Sequence, residues 1–73
     1  MSRDQILTTL LSHGAISLIH TIEDVEAGRA RRVRIDPVPG SSAFTREVML
    51  YLYSIGAQVE IAHPVARSYV RSA

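Results

Sequence analysis

Three histidines, His13, His20 and His63, are the side chains best suited to acid/base work or metal binding, because imidazole titrates near neutrality and ligates metals readily. Their spacing matches no zinc pattern, and the chain has no cysteine to complete a site. A composite catalytic site built from His20, Asp24 or His63 has no supporting spacing, and no Gly-rich phosphate loop or nucleophile/base motif is present. The sequence therefore predicts no catalytic residues, no metal and no cofactor. It points to a binding protein rather than an enzyme.

Arginine is the second chemically capable group. All eight basic residues are Arg and none is Lys, and four of them cluster at Arg29, Arg31, Arg32 and Arg34. Planar guanidinium groups grip phosphates or carboxylates bidentately, so this cluster is a candidate patch for an acidic peptide or for RNA or DNA. Two features argue against nucleic acid as the first choice. The net charge is only +1, and no aromatic platform for base stacking lies between Arg29 and Asp36. Glu23, Asp24, Glu26 and Glu60 are also available to neutralise the arginines.

The elements that must position these groups can be read in turn. Ser2-Arg3-Asp4-Gln5 is a capping box, Ile6, Leu7, Leu10 and Leu11 form one stripe, and Gly14 is a stop, so a helix is expected over about residues 3 to 12. Residues 15 to 24 are rich in β-branched side chains, and Val33 and Ile35 alternate with Arg32 and Arg34 beyond the turn at 26 to 29. Together these predict a hairpin. Ala15, Leu18, Ile19, Ile22 and Val25 also fit a helical face, so residues 15 to 27 have a competing reading as a helix, with residues 5 to 11 then a strand. After the Asp36 to Ser42 loop, Phe44, Val48, Tyr51, Leu52 and Ile55 mark a helix that ends at Gly56. Gln58 to Ala62 follows as a short strand, stopped by His63-Pro64.

The fold class expected is α+β, a two-layer domain in the order α-β-β-α-β with two helices on one face of a mainly antiparallel sheet. Residues 1 to 73 form one domain, and residues 66 to 73 either add an edge strand or fray. Ile19, Thr21, Glu23, Arg32 and Arg34 would line the open sheet face, and His20 would be half-buried. Without cysteines, without a secretory leader pattern and without an apolar run near the roughly 20 residues a bilayer requires, a cytoplasmic protein with no membrane partner is expected.

Within the hairpin reading, Arg31-Arg32-Val33 leading to Thr45-Arg46 and Ile55-Gly56 resembles HicA-type RNA-cleaving toxins. Their Gly-Ser-His-His segment is missing, so catalysis does not carry over. Within the helix reading, Ile22, Val25 and Gly28 and then Val48, Tyr51, Gly56 and Val59 resemble spacings in TusA-like sulfur carriers. There the Cys-Pro-x-Pro motif would fall on Leu11-Ser12-His13-Gly14, which lacks the sulfur-carrying cysteine. The two resemblances need different structures for one segment, and neither assigns the chain to a family.

The face most suited to a partner is the second side of the helix that starts near Phe44. Met49 and Tyr53 lie one turn apart, away from Phe44, Val48 and Ile55, with Arg46 and Leu50 beside them. Met, Tyr and Arg are enriched in interface cores. The expectation is a small non-catalytic regulator or inhibitor of a larger machine, comparable in size and character to phage-encoded modulators of host RNA polymerase or of defence complexes. It would bind another protein, or itself as a homodimer, through Arg46, Met49, Leu50 and Tyr53. The alternative is an RNA- or DNA-binding module using the arginine cluster.

Overall fold

Ser2 opens the first helix as its sequence demands. The Ser2 hydroxyl accepts from the Gln5 amide at 3.2 Å, and the Gln5 side-chain oxygen accepts from the Ser2 amide at 2.9 Å. The computed structural model describes residues 1–62, in which this helix is α1 (Arg3–Ser12). It is followed by α2 (Ile16–Glu26), β1 (Arg32–Ile35), α3 (Ser42–Ser54) and β2 (Gln58–Ile61). Each helix ends in a Schellman motif. Ala15 N–H bonds back to Leu10 C=O, Arg29 to Asp24 and Ala57 to Leu52, each past a glycine of positive φ.

The order α-α-β-α-β corrects the expected α-β-β-α-β, and β1 and β2 pair in parallel rather than antiparallel. Residues 16 to 26 are helical because Leu18, Ile22 and Val25 fall on one 3.6-period stripe that the core buries to 5%, 0% and 7% exposure. Burial of that stripe outweighs the β preference of the Ile and Thr residues. The glycine at the expected hairpin turn, Gly28, is instead the left-handed residue after α2 (φ 78°). The helix had no start signal to read, since its N-cap is Ala15 and makes no side-chain bond. The strand expected over residues 5 to 11 in the competing reading is helix as well, held by the capping box. Ile19, Thr21 and Glu23 therefore belong to α2, and only Arg32 and Arg34 of the expected open face lie on the sheet. The edge strand considered for residues 66 to 73 falls outside the described residues.

Parallel strands require a crossover, and α3 supplies it. In register, Val33 opposes Val59 and Ile35 opposes Ile61 on the inner face, while Arg32 opposes Gln58 and Arg34 opposes Glu60 on the outer face. Val48 and Leu52 of α3 are fully buried in one cluster with Ile6 and Leu10 of α1, Ile22 of α2 and Ile35 of β1. The crossover loop is pinned at Val38, whose buried amide donates to the Thr45 hydroxyl at 2.8 Å. That hydroxyl in turn donates to the Ser41 carbonyl at 2.9 Å.

Glu26, the last residue of α2, ties the three helices together. Arg3 of α1 donates to both its carboxylate oxygens, through Nε at 2.6 Å and Nη2 at 3.1 Å, and the Tyr51 hydroxyl of α3 donates to Oε2. The hydrogen bond from Arg3, then that from Tyr51, holds the Glu26 carboxyl below its ordinary value of 4.5. The same bond to Glu26, aided by burial, holds the Tyr51 phenol above its ordinary value of 10.0.

A depressed folded carboxyl stabilises the fold above the ordinary carboxylate range, and that contribution is lost as pH falls through the folded value. The raised phenol contributes below its ordinary value and is lost as pH rises through the folded one. Glu26→Gln should cost about 1 kcal/mol at neutral pH, read as a Tm about 4–8 °C lower. Thermal melts should show the difference from wild type closing as pH falls below the ordinary carboxylate range.

Candidate partner-binding surface

Helix α3 presents two different sides because its apolar residues exceed what the core can take. Phe44, Val48 and Leu52 face inward and are buried. Arg46, Leu50 and Tyr53, at i, i+4 and i+7, make one outward stripe, with Leu50 51% and Tyr53 48% exposed. Met49 differs from its expected place. It is half-buried and packs against the core cluster, so it borders the stripe rather than belonging to it.

Tyr53 does more than offer an exposed ring. Its hydroxyl donates to the Val59 carbonyl of β2 at 3.3 Å. In a parallel ladder alternate residues turn both backbone groups toward the neighbouring strand. Gln58 N–H bonds to Arg31 C=O at 2.7 Å and Ala62 N–H to Ile35 C=O at 2.9 Å, so Gln58, Glu60 and Ala62 face β1. Val59 and Ile61 face outward, and Tyr53 reaches across from α3 to the first of these carbonyls. Sequence reasoning missed this bond, because without the parallel register no pattern shows which carbonyl points outward.

The arginine cluster is divided by the fold. Arg29 closes the end of α2 by pairing with Asp24, its Nε and Nη2 each 2.9 Å from Oδ1. Arg31 is exposed and precedes β1, while Arg32 and Arg34 share the outer sheet face with Gln58 and Glu60. A shallow depression of about 290 Å³ lies there, lined by Arg32, Val33, Gln58, Val59 and Glu60. Among the described residues, ion pairs engage Arg3 and Arg29 but not Arg31, Arg32, Arg34 or Arg46.

The histidines are separated. His13 stacks on Phe44 at 6.0 Å between ring centroids, joining the end of α1 to the start of α3. His20 lies on the outer side of α2, not half-buried as expected but with its side chain 70% exposed and 3.5 Å from Glu23. The helical rather than extended backbone accounts for this, since it turns His20 away from the Leu18 and Ile22 stripe. His63 falls outside the described residues. Among the described residues no cluster of three His, Cys, Asp or Glu could hold a metal ion, and no helix is long and apolar enough to cross a membrane. Comparison with protein-family models, curated proteins and solved structures found no match.

The two sides of α3 should respond differently to polar substitution. Leu50→Glu keeps a good helix former at an exposed position and should change stability by less than about 0.5 kcal/mol. Met49→Asp places a carboxylate against the core and should cost about 1–3 kcal/mol. Urea titrations of the two variants measure the contrast.

Proposed function

We propose that this chain is a non-catalytic protein-binding module, a small cytoplasmic regulator or inhibitor that seats on a larger assembly through the outer stripe of α3. The observation that carries the reading is the adjacency of Leu50 and Tyr53, each about half exposed, on a helix whose opposite side is locked into the core. Arg46 extends the stripe by one turn. A rigid aromatic side chain, an aliphatic neighbour and an arginine at the margin are the residue types that dominate binding energy at protein interfaces, and their fixed backbone lowers the entropy lost on docking. A homodimer would use the same stripe and would appear as concentration-dependent mass in sedimentation.

The test is affinity capture from source-cell extract with wild type and Leu50→Glu, each with and without nuclease. Burying one Leu contributes about 1.5–3 kcal/mol, so the variant should recover its protein partner at least about tenfold less efficiently at unchanged Tm. Wild-type capture should survive nuclease and high salt, because apolar contacts are nearly indifferent to ionic strength. Recovery that vanishes with nuclease, or is equal for both proteins, overturns the reading.

A further inference from the structure

Among the described residues, the outer edge of β1 is a second surface left unfilled. Because Arg31 C=O and Ile35 C=O accept from β2, the intervening residues of opposite parity, Arg32 and Arg34, turn their N–H and C=O groups away from the sheet. Among the described residues no backbone group pairs with that edge. The two edges thus differ. At β2 the Tyr53 hydroxyl covers the Val59 carbonyl, whereas β1 keeps a two-residue run of donors and acceptors.

The arginine side chains decide what can pair there. A second copy laid antiparallel on β1 would set arginine against arginine in the two-fold registers centred on Arg32, Val33 or Arg34, through Arg32 opposite Arg32, Arg32 opposite Arg34 or Arg34 opposite Arg34. Like charges directly opposite are destabilising, so the registers that use the full free run of the edge disfavour its own copy. The strand already paired with β1 has a pattern of this kind in register, with Gln58 opposite Arg32, Val59 opposite Val33 and Glu60 opposite Arg34. A strand added on the free side meets the same two faces, arginine outside and valine inside.

We propose that the β1 edge takes an extended segment of a partner protein by β-strand addition, one that alternates acidic and apolar residues. Main-chain hydrogen bonds to Arg32 and Arg34 supply the pairing. The acidic side chains lie beside the two guanidinium groups, and the apolar ones continue the inner face at Val33. This deepens the protein-binding reading by naming the chemistry of the partner, and it uses a surface separate from α3.

The probe is a synthetic eight-residue peptide of alternating Glu and Val, with a Lys-Val peptide as control, added to the full chain. Saturable binding of the Glu-Val peptide alone, with amide exchange slowed at Arg32 and Arg34, supports the proposal. Arg32→Gln with Arg34→Gln should weaken binding about fivefold to tenfold, and the charge-reversed pair Arg32→Glu with Arg34→Glu should prefer the Lys-Val peptide. Three results overturn it: no binding of either peptide, slow exchange at both arginines before peptide is added, or protection that grows with protein concentration alone. Each leaves capture through Leu50 untouched, so failure here is separable from failure of the α3 reading. Loss of the Leu50 effect would conversely leave peptide binding in place.

Discussion

Two four-residue strands running in parallel cannot be joined by a tight turn, and every other element is arranged around that constraint. The chain must leave β1, travel back along the sheet and enter β2 from the same end. Helix α3 is that return path, so its inner stripe and the inner sheet face bury each other through Val48, Leu52, Ile35 and Val33. A pair this small offers little ladder energy of its own. The αα unit of α1 and α2 therefore completes the core, contributing Ile6, Leu10 and Ile22 to the same cluster.

Polar contacts fix how these pieces sit together. Glu26 is positioned by the end of α2, receives Arg3 from the start of α1 and is reached by Tyr51 from within α3. Thr45 does the equivalent work at the other end of α3, satisfying the buried Val38 amide between Pro37 and Pro39, which prevent regular pairing. His13 against Phe44 adds a stacked contact between the end of α1 and the first turn of α3. A core of this size sets few distances by packing alone, so hydrogen bonds with defined geometry set the rest.

How far the sequence could be read depended on where its punctuation was local. Helix α1 was legible to the residue, since Ser2 and Gln5 cap it and Gly14 ends it. Helix α3 was legible from its inner stripe and Gly56, and β2 from the stop that His63-Pro64 sets after Ala62. Helix α2 was misread because Ala15 offers no cap and because the isoleucines and threonine satisfy period two as well as period 3.6. That single error made the sheet antiparallel, as a hairpin implies, and placed Ile19, Thr21 and Glu23 on a face they never reach. Glycine 28 was correctly seen as a turn residue, but a left-handed glycine ends a helix as readily as it closes a hairpin. For the surface residues, spacing located Leu50 and Tyr53 on one side of α3. It could not show that Met49 leans into the core or that Arg29 is occupied by Asp24, since both depend on tertiary neighbours.

The Tyr53 hydroxyl on the Val59 carbonyl joins the outer stripe of α3 to the backbone rim of β2. Any ligand on that stripe that needs the ring in another rotamer must first uncover the carbonyl, and a strand arriving at that rim must first displace the ring. The two events share one χ1 torsion. By thermodynamic reciprocity, whatever occupancy of the helix adds to or subtracts from access at the rim is returned in equal measure. A single aromatic side chain thus makes two neighbouring surfaces one coupled system, with no movement of the backbone between them.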